Sequence, residues 1–132
     1  MAVIGLGLDV IDIARAEAML EPRRRRVLDR LLTKEELEYV GRMRHPARHL
    51  AVRLAAKEAV YKALQSLPDA RAIGWCEIEV TRNHDGRPIV RLHGHAVKVT
   101  ASRPGLTIHV SLTHSDLTAA AVAVVEGAEV GG

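Results

Sequence analysis

The chain has 132 residues, 48% apolar and 27% charged, which bounds it to one globular domain and argues against disorder. It holds no Phe, one Trp and two Tyr, so its core is built from Val, Leu, Ile and Ala, and nucleic-acid bases would find few rings to stack on. A single cysteine excludes an internal disulfide and suits a reducing cytoplasm, no apolar run approaches the roughly 20 residues that span a bilayer, and the net charge of +3 sits mainly in the N-terminal half, a surface for an anionic partner.

Residues 3–13 read as a strand with Ile4, Leu6, Leu8 and Val10 on one face and Gly5, Gly7 and Asp9 on the other. The two glycines weaken the strand but let another group approach its backbone closely. A short helix is expected over 14–21, ended by Pro22 and the run Arg23 to Arg26. Thr33 followed three residues later by Glu36 is a capping-box signature that opens a helix near 34–43. His45-Pro46 then breaks the chain before a long helix over Pro46–Leu64.

That helix is the most informative segment. Ala51, Ala55, Ala59 and Ala63 recur every four residues as a smooth ridge, and Leu50, Leu54, Val60 and Leu64 widen its apolar surface. Yet Glu58 and Lys62 share one face, and Arg53 and Lys57 the adjacent one. Charge on a mostly buried helix is costly unless a partner or an ion balances it, which marks these four residues as candidates for a working site.

Farther on, residues 75–81 alternate, and a turn at Asn83–Gly86 leads into Pro88–Leu92, a hairpin. Residues 106–113 and 117–126 form a second strand pair, its last member apolar enough to be central or at an interface. Residues 127–132 read as a flexible tail behind a single domain of residues 1–126. The class is α+β.

The histidines do not form a zinc signature: His45 and His49 have no acid between them, and only one cysteine is available. Cys76 sits in a strand pattern, where a structural thiol is the common case. No glycine-rich phosphate loop occurs. His114 ends a strand whose polar side chains are His109, Ser111 and Thr113.

Taken together, three blocks resemble the holo-acyl-carrier-protein synthases, the small trimeric branch of the 4′-phosphopantetheinyl transferases. Gly5-Leu-Gly-Leu-Asp9 with Arg15 is similar to the family's N-terminal strand and following arginine. Leu31–Leu37 and Leu50-Ala-Val-Arg-Leu-Ala-Ala-Lys57-Glu58-Ala-Val-Tyr-Lys62 resemble its central helices; the Ala-Ala-Lys-Glu-Ala-x-x-Lys block is the specific part. Asp85-Gly-Arg-Pro88 and Val110-Ser-Leu-Thr-His114 resemble its hairpin and C-terminal motif.

The resemblance implies a small antiparallel sheet against the alanine-rich helix, assembled as a homotrimer, and transfer of 4′-phosphopantetheine from coenzyme A to a serine of an apo acyl carrier protein. It implies Asp9 and Glu58 as ligands of Mg2+, Glu58 as acceptor of the serine proton, directly or through a metal-bound water, and Lys57 and Lys62 as partners of the pyrophosphate. Arg53 and His114 would face the 3′-phosphate, while Gly86 and Pro88 would pack on the adenine from a neighbouring subunit. Arg15, Met19, Arg23 and Arg25 would dock the acidic helix of the carrier. The chain departs from the family pattern at Leu54, usually aromatic, and in the stretch 65–74; the short segment between Gly94 and Leu106 leads us to expect a trimmed helix there. A non-catalytic basic module of the same fold, for an acidic protein or nucleic acid, is the alternative, against which the joint presence of Asp9, Glu58 and Lys62 argues.

Overall fold

The first strand sets the arrangement of everything else. In the computed structural model, which describes residues 1–128, β1 (Ala2–Asp12) runs antiparallel to β5 (Thr118–Gly127). β5 pairs on its other side with β4 (Thr107–His114), giving the order β1-β5-β4. β2 (Ile78–Arg82) and β3 (Pro88–Leu92) form a separate hairpin. The helices are α1 (Ile13–Met19), α2 (Arg25–Leu31), α3 (Lys34–Arg42), α4 (Pro46–Leu64) and α5 (Gly94–Ala101). The expected α+β architecture, a small antiparallel sheet against a long alanine-rich helix, is what the chain adopts. β5 ends at Gly127, one residue into the expected tail, and residues 129–132 of that tail lie outside the described residues.

α4 lies against one face of the sheet, and the glycines of β1 are what let it come so close. A Cβ built on Gly7 would stand 2.7 Å from the carbonyl carbon of Ala59 and nearer still to its oxygen; one on Gly5 would stand 2.8 Å from the carbonyl carbon of Ala63. No side chain fits there, so strand and helix backbones touch directly.

The opposite face of the sheet carries the residues expected to share one side of β1. Leu6, Leu8 and Val10 are 65%, 62% and 58% exposed, opposite Val124, Val122 and Ala120 of β5. Ile4 departs from this set. A register shift between Val3 and Gly5 takes it out of phase, so Ile4 packs on the core and Val3 is exposed instead.

α4 divides the core in two. Its C-terminal half, from Ala55 to Leu64, packs on β5, β2 and α5; its N-terminal half, around Leu50, Ala51 and Leu54, packs on α1, α2 and α3. Two helices were not foreseen in full. α1 stops at Met19, and after a 3-10 turn at Pro22–Arg24 the arginine run continues into α2, which buries Leu28. The trimmed helix expected after Gly94 is α5, eight residues long, and Glu77 caps it from outside: Glu77 Oε2 accepts from the backbone N–H of His95 at 2.5 Å.

Candidate functional site

Because Gly5 and Gly7 bring β1 onto α4, the next residue on the same face, Asp9, meets the same helix where its charged residues lie. Asp9 is in register with Ala121 and Leu112, facing α4. Lys62 Nζ lies 3.3 Å from Asp9 Oδ1 and donates to the carbonyl of Leu8 at 3.0 Å. Asp9 and Glu58 line one cavity of about 440 Å³, together with Arg15, Met19, Val27, Leu31, Leu54 and Trp75. The Glu58 carboxylate has no hydrogen-bond or ion-pair partner among the described residues, which leaves its oxygens available to a ligand. Asp9, Glu58 and Lys62 are therefore brought together.

Lys57 is not. Expected to reach a pyrophosphate, it is turned inward and is 1% exposed. Its ammonium pairs with Glu36 Oε1 at 2.6 Å and donates to the carbonyls of Ile78 at 2.6 Å and Trp75 at 3.0 Å. An ammonium has three protons and all three are engaged, so Lys57 has no donor left for a substrate. Burial pulls its pKa down, opposed by the charge of Glu36. Glu36 does more than cap α3. Besides the Thr33 N–H at 2.9 Å it accepts from the Val80 N–H at 3.0 Å, and Thr33 Oγ1 donates to Glu79 Oε2 at 2.5 Å.

A second group of residues gathers around the N-terminal half of α4. Arg53 is 3% exposed, its guanidinium 4.0 Å from the centre of the Tyr39 ring, and Nη1 donates to the carbonyl of His49 at 3.3 Å. Arg53 Nε has no partner among the described residues. Burial lowers the Arg53 pKa, with Tyr39 opposing, yet an arginine starts so high that it stays charged. His49 stacks edge-on against Tyr39, and its pKa is lowered by burial and then by Arg53, Arg82, His114 and His45. These side chains therefore share one region. Arg82 also reaches the hairpin turn, donating to the Gly86 carbonyl at 2.8 Å, while Pro88 pairs with Arg82 across the hairpin. Gly86 has φ +87°, the left-handed region that the turn demands.

The two groups are separate within one chain. Asp9 is on edge strand β1 and His114 ends the opposite edge strand β4, two strand spacings or roughly 10 Å across the sheet. Arg53, His114, Gly86 and Pro88 do not line the cavity of Asp9 and Glu58. Of the four residues expected to dock a carrier, Arg15 and Met19, one turn apart on α1, line that cavity; Arg23 and Arg25 are exposed and paired with Glu21 at 2.8 Å and Asp29 at 3.1 Å. Sequence reasoning missed Tyr39, Arg82 and Trp75, which sit on three different elements and meet the site only in the fold. The only available signal for Trp75 was its being the single tryptophan of a chain without phenylalanine.

Residues 5–122 match the family model described as ACPS, 4′-phosphopantetheinyl transferase superfamily. The chain is similar to a holo-[acyl-carrier-protein] synthase of Treponema denticola, 42% identical over 126 residues, 95% of this chain and 99% of that one. Among solved structures it is similar to the acyl carrier protein synthase of Mycobacterium tuberculosis, at TM-score 0.74 and 36% identity over 96% of this chain and 100% of the other. It is also similar to a holo-(acyl-carrier-protein) synthase from Bacillus anthracis solved in complex with CoA (3′,5′-ADP), at TM-score 0.75 and 27% identity over 96% of this chain and 98% of the other.

Proposed function

The chain belongs to the 4′-phosphopantetheinyl transferase superfamily, and on that premise we propose how its own residues carry out the transfer of 4′-phosphopantetheine from coenzyme A to a serine of an apo acyl carrier protein, with release of adenosine 3′,5′-bisphosphate. One observation carries the assignment of the site: Asp9 and Glu58 line a common cavity, with Lys62 on Asp9 and the Glu58 carboxylate unpartnered among the described residues. The bond that breaks lies between two phosphates, so the site has to offset negative charge and hold an in-line approach.

Lys62, about half exposed, can swing from Asp9 to a phosphate oxygen without leaving a buried charge behind. Glu58 accepts the serine proton as the hydroxyl attacks the phosphorus of the arm, and the leaving bisphosphate carries its charge away. Two carboxylates on one cavity fit a magnesium ion, a hard cation that prefers oxygen and completes its shell with water and substrate phosphate. When bound by Asp9 and Glu58 it would supply charge neutralisation at the pyrophosphate. Arg53 and Arg82 supply the positive charge, with His114 and His49 beside them as ring N–H donors, in a region suited to the 3′-phosphate.

A homotrimer is part of the proposal: Arg53, His114, Gly86 and Pro88 do not line the cavity of Asp9 and Glu58 in one chain, and a neighbouring copy would bring its own set to that cavity. The apolar face of Leu6, Leu8, Val10 and Val122 offers the surface for that assembly. Gly86 and Pro88, at the hairpin turn, would then reach the adenine from the adjacent copy, and Arg15, Met19, Arg23 and Arg25 would meet the acidic helix of the carrier. No helix among the described residues is long and apolar enough to cross a membrane; with one free cysteine, a cytoplasmic location fits.

The test is mass spectrometry of an apo carrier after incubation with the protein, coenzyme A and magnesium. A gain of one phosphopantetheine is expected, lost in Asp9→Ala and on chelation. Transfer that survives Asp9→Ala would remove Asp9 from the site.

A further inference from the structure

Trp75 opens a 3-10 turn, Trp75–Glu77, and is 39% exposed. It lines the cavity of Asp9 and Glu58 and also a smaller one of about 160 Å³ formed with Lys57, Glu58, Tyr61, Ile73 and Ile78. Trp75 thus stands between two hollows that meet at Glu58. One side holds Arg15 and Met19; the other is bounded by an aromatic ring and two isoleucines, and the only cation there, Lys57, has its ammonium fully engaged elsewhere.

We propose that Trp75 determines specificity for the pantetheine arm of coenzyme A, giving it an apolar wall beside Glu58, and that Lys57 is a positioning residue acting through Trp75. This rests on the transferase reading above. The transferred phosphate is attached to a long chain that alternates alkyl groups with amides. A site that holds the phosphate at Asp9 and Glu58 therefore needs an apolar surface with an occasional donor close by. Trp75 supplies both, since the indole presents a large face at low entropic cost and its Nε1–H has no acceptor among the described residues. The nucleotide end of coenzyme A, polyanionic, has no reason to enter this side.

The wall is fixed from behind rather than by its own side chain. Lys57 Nζ holds the Trp75 carbonyl at one end of the turn and the Ile78 carbonyl just beyond the other. The Gly74 N–H, donating to Glu77 Oε1 at 2.7 Å, closes the turn on itself. Glu36 in turn anchors Lys57 and, through the Val80 N–H, the strand that follows. Releasing this lock frees the turn, and with it the indole, while leaving Asp9 and Lys62 in place.

The experiment starts from transfer by the wild-type protein; absence of any transfer would overturn the underlying reading and not this one. Trp75→Ala is expected to raise the KM for coenzyme A about tenfold, whereas Trp75→Phe keeps most of the affinity. Inhibition by adenosine 3′,5′-bisphosphate, which lacks the arm, and the KM of the carrier should not change. Coenzyme A, but not the bisphosphate, should shift the fluorescence of Trp75, the chain's single tryptophan. Lys57→Met combined with Glu36→Gln removes both buried charges and should reproduce the same split; in the Trp75→Ala background it should add nothing further. If that pair fails to fold, Lys57→Arg takes its place in the cycle. Weakened bisphosphate inhibition, a change falling on the carrier instead, or additive effects of Lys57 and Trp75 would each overturn the proposal.

Discussion

Gly7→Ala tests the way the fold builds the site. The added methyl would sit 2.7 Å from the Ala59 carbonyl carbon. Restoring that contact to 3.4 Å, the lower edge of ordinary van der Waals contact, moves β1 off α4 by about 0.7 Å, and the oxygen demands more. Both atoms belong to backbones held in regular structure, so neither can step aside as a flexible side chain would. Overpacking of this kind costs about 1–3 kcal/mol, and at roughly 3–5 °C per kcal/mol in a domain of this size the melting temperature falls by about 3–15 °C. Asp9 is two residues along the same strand face, so it retreats from Glu58 and Lys62 with the strand. A misplacement near 1 Å can cost about 100-fold in rate, and transfer should drop by on the order of that factor in the population that remains folded. Gly41→Ala is the control, since nothing lies within 4 Å of its would-be Cβ. On an exposed helix it should be neutral or raise stability by up to about 1 kcal/mol. Calorimetry and the carrier mass assay read both variants. If Gly7→Ala melted and turned over like the wild type, the claim that strand–helix contact sets the position of Asp9 would be wrong.

Three further outcomes follow from the same geometry. Charge reversal at Arg15 and Arg25 should raise the carrier KM about tenfold, more at low salt than at high, while leaving the KM for coenzyme A alone; equal carrier kinetics would remove α1 and α2 as the docking surface. Leu8→Asp puts a charge in the middle of the exposed apolar face; if that face builds the proposed trimer, sedimentation should show monomers where the wild type sediments as a trimer, and transfer should fall with it. Glu79 contributes to acid stability, alongside Glu77, whose pKa burial would raise but the Gly74 and His95 N–H groups lower. Burial would raise the Glu79 pKa, but hydrogen bonds from Thr33 and His93, and the charges of His93 and Arg91, bring it below the ordinary 4.5. The unfolded state therefore takes up its proton first, so the contribution is complete above about pH 4.5 and disappears as pH falls through the folded value. Urea midpoints should fall on acidification, and Glu79→Gln should flatten that slope; an unchanged slope would assign the acid sensitivity elsewhere.

The parts of the fold that were legible are those set by local pattern. The alternation of Leu6, Leu8 and Val10 gave one face of β1, and Thr33 with Glu36 gave the start of α3, because each signal lies within a few residues. Ile4 escaped, since a bulge changes the phase without a composition signal. The cap of α5 escaped because it comes from Glu77, a long way back in the chain, and Gly94 takes φ +54° where no turn signature announces it. The charges on α4 could be recognised as costly, but not sorted. Which of Lys57 and Lys62 faces inward depends on Glu36, an acid that local reading had already assigned to a helix cap. The partnership of Asp9 with Glu58 was reached only through resemblance, as no spacing rule joins a strand residue to a helix residue so far away.

The sorting of those charges explains why a buried ion pair is retained beside the site. Lys57 and Glu36 would contribute no less stability as a well-packed apolar pair, and removing either alone leaves an uncompensated charge that costs about 3–5 kcal/mol. Their value lies in direction. Successive residues on α4 are turned by about 100°, so Lys57, pinned inward at three acceptors, holds the Trp75–Ile78 turn while the next side chain, Glu58, leaves the helix toward the cavity that this turn borders. Lys62, one turn beyond Glu58, leaves on the same face and finds Asp9. A greasy residue at position 57 would hold the helix in the core with equal strength but leave the turn looser, because apolar contacts are not directional whereas three short hydrogen bonds are. The inward charge thus fixes the turn that carries Trp75, the wall against which the outward carboxylate lies.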